Sequence, residues 1–563
     1  MKTPTSQQLS NQLGNTRRAS RKHRRFALAV GLGLLLSVGT GLQAQTIWRG
    51  TGGTGGNGTW STGGEWSAGV PVSGTDARFQ VDAISTATSA VIQVSGSQAA
   101  NSFQAGRGKA TTLQLASGAS ITATGAESFF SHTYGTGTSS ASYTFEGPAS
   151  GTATVNFRAL TAYGNTAGGG SSLTFTGSNL VVTATTADNS IGRSQNGATL
   201  SILSGAKMTT SRIALGREAS NNTLLVSGAG SSLNATLNLN IGTGNAPSNN
   251  DNNILRVESG GYFTTSAATT IGLGIGSSGN TLQVTGSNSE AILADTQVGN
   301  SGANNVGGNS VQVDNGGVVR NGNALSINSY DASGTNSGAN FVLVGANGTL
   351  TSNNTITVRD KAALRLAATG KIEGRDTAGV AATATISVLS GGRFEAAGSG
   401  LGAVTTVNTT VSSGGSLAVG LDSAVAASTL SFSNTNSKMT LNTSSTLEFG
   451  LFGNGLNDSI AFSAINIMTV QSGVNLRLTL QAYAPVDGNS WTLITGAGFA
   501  SGSAANLAGA TFVLPTLGVG LSWNTTQFNE GNGWGISVVP EPSSLMLFGA
   551  SLGALLIFRR RRA

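Results

Sequence analysis

Thr223 to Ala235 reads TLLVSGAGSSLNA. Apolar and polar residues alternate, a glycine turn follows, and a second short alternating piece closes the unit. A period of two puts the apolar set on one face of an extended chain, and glycine supplies the positive φ that a tight turn needs. The same grammar recurs in TLSILSGAKMTTS from Thr199, ILRVESGGYFTTS from Ile254, TLQVTGSNSEAIL from Thr281 and SVQVDNGGVVRNG from Ser310. An aliphatic residue followed by glycine marks the period at Ile191-Gly192, Leu215-Gly216, Ile241-Gly242, Ile271-Gly272 and Val298-Gly299, with glycine spacings of 24, 26, 30 and 27. Units of that length cannot bury their own apolar face and must stack on their neighbours. The fold expected is all-β: a right-handed parallel β-helix, or β-solenoid, of ~19 coils and about 90 Å at the strand spacing. Ile, Leu and Val would line its interior, with Thr, Ser and Asn outside or in side-chain amide stacks. A β-sandwich array is the rival reading.

Composition supports a packed chain without unusual chemistry. Gly accounts for 82 of 563 residues, charged residues are 9% and cysteine is absent, so burial and backbone pairing must hold the molecule together. The formal charge of +7 is a property of the two ends. Seven of the 30 Lys and Arg lie in the first 25 residues and four in the last five, leaving 19 against 23 acidic residues, a net of −4. Nothing in that balance, and no module in the sequence, points to nucleic acid.

The ends read as addresses. Residues 1 to 25 are basic and free of acids, FALAVGLGLLLSVGTGLQA follows, and Ala44 is a small residue suited to signal-peptidase cleavage. The mature chain is therefore expected to begin near Gln45. At the other end, VVPEPSSLMLFGASLGALLIFRRRRA carries the triplet Pro540, Glu541 and Pro542, an apolar run from Leu545 to Phe558 and the cluster Arg559, Arg560, Arg561 and Arg562. As a helix that run covers about 21 Å, so a single C-terminal transmembrane helix is marginal in length, with the arginines stopping it on the cytoplasmic side. A buried terminal helix is the alternative.

This C-terminal segment resembles a PEP-CTERM sorting signal in all three parts and in their order. The resemblance implies an inner-membrane precursor with its body in the periplasm, cleavage near the triplet by an exosortase, and association with exopolysaccharide or biofilm matrix at the cell surface. The body is similar to autotransporter-associated β-strand repeat proteins. Trp48, Trp60, Trp66, Pro71, Asp76 and Phe79 follow their opening order, and Asp458, Pro485, Gly488, Trp491, Pro515 and Trp523 their closing module. A true autotransporter ends in a membrane β-barrel, and no such run of strands follows Val539.

Chemistry-bearing residues are sparse. His132 is the sole histidine beyond the leader, which all but rules out a His-based metal cluster, and a lone histidine beside aromatics reads as a packed or surface residue rather than the base of a Ser-His-Asp triad. Glu373 and Asp376 in KIEGRD, with Asp360 nearby, read as a solvated loop cluster rather than a paired-carboxylate site. GIGSSG at Gly274 to Gly279 precedes a strand pattern where a phosphate-binding helix would be required, so it reads as a coil turn. GLNDSI around Asp458 occurs once, whereas calcium-binding nonapeptides work in tandem. Trp48, Trp60 and Trp66 are candidate glycan-stacking residues, with capping of the open solenoid end as the competing role. No catalytic residue, metal or cofactor is expected.

The sequence thus divides into a signal peptide at 1–44, a Trp- and Gly-rich cap with the first coils at 45–110, solenoid repeats at 111–445, a C-terminal β module at 446–537 and the sorting signal at 538–563. The function expected is that of an exported, non-enzymatic structural or adhesive protein. A carbohydrate-binding protein, or a β-helical polysaccharide lyase or hydrolase, is the alternative.

Overall fold

The alternation in Thr223–Ser227 becomes a strand in which Leu224 and Val226 are fully buried while Thr223, Leu225 and Ser227 stay half-buried outside. The chain turns through Gly228 and Gly230, both at positive φ, into Ser232–Ala235, and three residues later enters Leu239–Thr243. Each strand pairs in parallel with its counterparts one coil back and one coil on. Thr223 lies opposite Thr199 and Ile254, Ser232 opposite Lys207 and Tyr262, and Leu239 opposite Ile213 and Thr269. One coil is therefore three strands, and the coils stack.

The structure is a computed structural model. It describes residues 44–49, 57–79, 89–105, 110–125, 129–130, 141–162, 170–184, 189–193, 196–244, 250–274, 276–299, 307–328, 340–397, 401–420, 427–432, 437–463, 468–496, 499–526, 528–529 and 533–541. The expected signal peptide up to residue 43, His132, Pro542, the Leu545–Phe558 run and Arg559 to Arg562 lie outside the described residues.

Three sheets run along the molecule. The first face extends from Gly58–Thr59 to Thr511–Val513, and the second from Ser97–Ala100 to Ser490–Thr495. The third is a 16-stranded sheet from Ala44–Ile47 to Met468–Val470. Parallel pairing throughout the repeats excludes the sandwich reading. Sixteen strands at ~4.8 Å make a rod of roughly 72 Å, shorter than the ~19 coils expected. Two features lower the number: some coils are long, with a step of 31 residues from Ser310 to Phe341 against 22 from Phe341 to Ala363, and the described residues after Val470 add no strand to the third face. Among the described residues no helix is long and apolar enough to cross a membrane.

Stacking turns the inward residues into rows. On the first face Leu200, Leu224, Leu255, Leu282, Val311, Val342 and Leu364 follow one another in register, each at most 1% exposed. Burial of each such side chain stabilises by about 1.5–3 kcal/mol relative to exposure, and no coil achieves it alone.

A polar row runs beside the apolar ones. Asn222, Asn253, Asn280, Asn309 and Asn340 each immediately precede a first-face strand and are fully buried. Each of the first four donates from its side-chain amide to the Oδ1 of the next, at 2.8, 2.9, 3.0 and 3.0 Å. The same Oδ1 also accepts the backbone N–H of the preceding asparagine, at 3.1, 3.0, 3.1 and 3.0 Å. The ladder occupies space left by the marker glycines. At Gly216, φ is +70° and a Cβ would lie 2.2 Å from the Asn253 side chain; at Gly272, φ is +78° and it would lie 2.5 Å from Asn309. Those glycines thus serve as notches for the next coil's amide as well as turns.

Candidate functional site at the C-terminal junction

Parallel stacking ends in the C-terminal module. The helix Ser503–Ala508 lies against the last strand of the third face, where Ser503 Oγ accepts the Val470 N–H at 3.0 Å and Asn506 Nδ2 donates to Val470 O at 2.7 Å. These bonds satisfy an edge that would otherwise offer itself to another strand. On the second face, Gly533–Pro540 pairs antiparallel with Ser490–Thr495 on one side and Leu521–Asn524 on the other. Trp534, Ile536 and Val538 are buried and anchor it. Trp534 stacks on Phe512 at 6.3 Å, Trp491 meets Trp523 at 5.7 Å, and Trp523 Nε1 donates to Pro515 O at 2.9 Å.

This strand carries the start of the sorting triplet. Pro540 lies opposite Leu521, and the Glu541 N–H donates to Gly520 O at 2.8 Å. The motif is therefore fixed to the body with no spacer. Proline is tolerated at 540 because it is the last residue of the strand, where a missing N–H costs little. The segment beside it carries no charge of its own, since no Asp, Glu, Lys or Arg occurs between Asp487 and Glu530; the charges that border it are Glu541 and Arg477, which is exposed opposite Val513. Val513 is 52% exposed and Val519 fully exposed, while Leu514, Leu517, Leu521 and Trp523 are half-buried against the core.

At the opposite end the three N-terminal tryptophans are interior residues, which corrects their reading as glycan-stacking groups. Trp48 and Trp60 are fully buried and Trp66 is 3% exposed. Trp66 makes edge contacts with Trp48 at 5.0 Å and Trp60 at 5.1 Å, and its Nε1 donates to Trp60 O at 2.8 Å. Phe79 and Phe103 continue the cluster. Rings packed against one another present no face to a sugar. Ala44 opens the strand Ala44–Ile47 and pairs with Thr75, so cleavage after it leaves Gln45–Ile47 to pair.

The carboxylates of KIEGRD hold a turn. Glu373 pairs with Arg375 at 2.7 Å, Asp376 Oδ1 accepts the Val380 N–H at 2.8 Å, and Arg375 Nη1 donates to Gly379 O at 2.9 Å. On the first face an ion-pair chain links Arg365 to Glu395, Glu395 to Arg393 and Arg393 to Glu448, each at 2.9 Å. Among the described residues no group of three or more His, Cys, Asp or Glu side chains could hold a metal ion.

Two features had no usable sequence signal. A cleft of about 310 Å³ on the third face is lined by Thr270, Asp295, Gln297, Ser326 and Arg359 among others, residues scattered over four coils. Asp458 is fully buried beside Gly420, where its oxygens accept the N–H groups of Ser428 at 2.8 Å and Gly450 at 2.7 Å. Burial pushes its carboxyl up from 3.8 to about 7, against the opposing pull of those two donors. A lone aspartate in a glycine-rich turn gives no hint of that burial.

Comparison with known proteins is informative at one end of the chain. No curated protein matches it. Among solved structures, a TibC-catalyzed hyper-glycosylated TibA fragment is similar at a TM-score of 0.33 and 17% identity, over 73% of this chain and 95% of that one. Residues 538–562 match the PEP-CTERM protein-sorting motif. That match runs from the buried Val538 through the tethered Pro540 and Glu541 into the tail, and it marks the chain as carrying a signal for export to the cell envelope or surface and for processing by an exosortase.

Proposed function

We propose that this is a non-enzymatic structural or adhesive component of a bacterial surface or extracellular matrix, delivered as a membrane-anchored precursor. A signal peptidase removes the leader near Ala44, the tail holds the precursor in the inner membrane with its body in the periplasm, and an exosortase acts near Pro540 to Pro542. The released rod then associates with exopolysaccharide in the matrix. The observation that carries this reading is the sorting motif continuous with a body whose buried and paired residues are spent on stacking. Several charged residues of that body are engaged in turns and ion pairs, namely Glu373, Asp376 and the Arg365 to Glu448 chain.

The test is to follow the protein in cells as the full chain and as a chain ending at Glu541, recording membrane retention, surface display and matrix cohesion. The truncation must fall after Glu541, because removing residues from Val538 onward would strip the last strand of its buried anchor. Loss of membrane retention together with loss of matrix cohesion supports the proposal. Unchanged localisation, or turnover of a glycan by the purified body, contradicts it.

A further inference from the structure

We propose that the uncharged end of the C-terminal module, from Val513 to Leu521, rests on the bilayer surface in the unprocessed chain. This rests on the reading above that the tail enters the membrane. Chain length forces the proximity. Three residues separate Glu541 from Leu545, where the apolar run begins, and the four steps between them, at most ~3.5 Å each, span about 14 Å. Glu541 is itself tied to Gly520 by the 2.8 Å backbone bond, so Val519 moves with the point from which the tail departs. The headgroup zone on each side of a bilayer is roughly 5–8 Å thick, comparable with that reach.

The chemistry of the surface fits a lipid partner. Val519 is fully exposed and Val513 is 52% exposed. Leu514, Leu517, Leu521 and Trp523 lie behind them, packed on one side against the core and open on the other. No side chain from Val513 to Leu521 is ionised; the two flanking charges, Arg477 opposite Val513 and Glu541 bonded through its N–H to Gly520, are exposed at the margin of the face, where the hydrated headgroup zone can receive them without full desolvation. Trp523, with its Nε1 satisfied by Pro515 O, is the amphipathic ring type favoured at headgroup depth. Held this way, the rod leaves the membrane from a fixed face, and the sorting triplet sits between bilayer and body.

The absence of cysteine allows single-site labels. The full chain is reconstituted in vesicles of phosphatidylethanolamine and phosphatidylglycerol with an environment-sensitive fluorophore at Val519→Cys, Val380→Cys or Ser551→Cys. Val380, 62% exposed in the repeats, is the aqueous reference, and Ser551 reports the tail. The proposal expects the label at 519 to be quenched by nitroxide-bearing lipid and shielded from aqueous iodide, and the label at 380 to behave in the opposite way. Quenching at 551 with a 519 label that behaves like 380 overturns the proposal while leaving the anchored precursor intact. Absence of lipid quenching at 551 overturns the anchored precursor itself. Shielding of 519 from iodide without lipid quenching means that another protein surface covers the face, which also overturns the proposal.

Discussion

Between Thr199 and Leu366 successive coils repeat the same design, with aliphatic rows inside, and from Asn222 to Asn340 a buried amide passes hydrogen bonds from coil to coil. Between Thr446 and Glu541 that repetition stops. Parallel pairing runs out at Thr511–Val513 and Met468–Val470, antiparallel strands close the second face, a short helix covers a sheet edge, and tryptophans join the leucines in the core. The central region makes length, since any coil there resembles its neighbours. The terminal region makes a boundary, because a sheet must be closed before the chain can leave it. The residues that decide where the protein goes begin within that boundary.

The two regions should therefore fail differently. Trp534→Ala empties the largest buried side chain of the terminal strand and should cost about 3–5 kcal/mol in denaturant unfolding of that module. Amides of Thr223 to Thr285 should keep their hydrogen-exchange protection, because coils couple to nearest neighbours. Loss of protection in both regions together would erase the distinction.

Asn280→Ala acts in the opposite region. It leaves the backbone N–H of Asn253 and one of its two side-chain amide hydrogens buried without their acceptor, the other hydrogen keeping Ala219 O, and should cost about 2–4 kcal/mol at ~1–2 kcal/mol per orphaned group. The damage should appear as exchange around residues 253 to 309 and spare the terminal module. A fully neutral Asn280→Ala would show that the ladder fills space without holding coils together.

Asp458 sharpens the comparison through pH. Its folded value, about 7, lies above the 3.8 of an unfolded chain, so the folded state binds the proton more tightly. This contribution to stability is present in full below about 3.8 and is lost as pH rises through that window toward 7. The terminal module should lose stability across that range, and Asp458→Asn should flatten the dependence. An unchanged slope in the variant would assign the effect to another group.

The smallest effect expected is on the outer surface of the first face. Arg393 and Glu448 are partly exposed and 2.9 Å apart, and a double-mutant cycle should give a coupling below about 1 kcal/mol that shrinks with added salt.

Much of the architecture was legible from residue patterns. Alternation in Thr223–Ser227 and Ser232–Ala235 and the Ile-Gly and Leu-Gly markers identified stacked coils, because a period of two and an unburied face are properties of local sequence. The coil number was overestimated because loop lengths between strands leave no periodic trace. Amide stacking was foreseeable in kind, yet Asn222, Asn253, Asn280, Asn309 and Asn340 could be singled out only once register aligned the residue before each strand. The N-terminal tryptophans stayed divided between glycan stacking and capping because sequence shows an aromatic ring but not which way it packs, and their burial removes the first of the two. The sorting triplet was legible as a motif, whereas its attachment through Gly520 depends on a pairing between residues 13 to 19 positions apart, from Asn524 with Ser537 to Leu521 with Pro540.

The central claim is the coil register, and disulfide trapping in this cysteine-free chain tests it most directly. Leu225 lies opposite Arg256 in the neighbouring coil, and Arg256 lies opposite Gln283 in the next. Leu225→Cys with Arg256→Cys should oxidise readily, since adjacent strands place Cα atoms within the roughly 4.4–6.8 Å that a disulfide spans. Leu225→Cys with Gln283→Cys, two strand spacings apart, should stay reduced. Equal oxidation of both pairs, or of neither, would contradict the stacked solenoid.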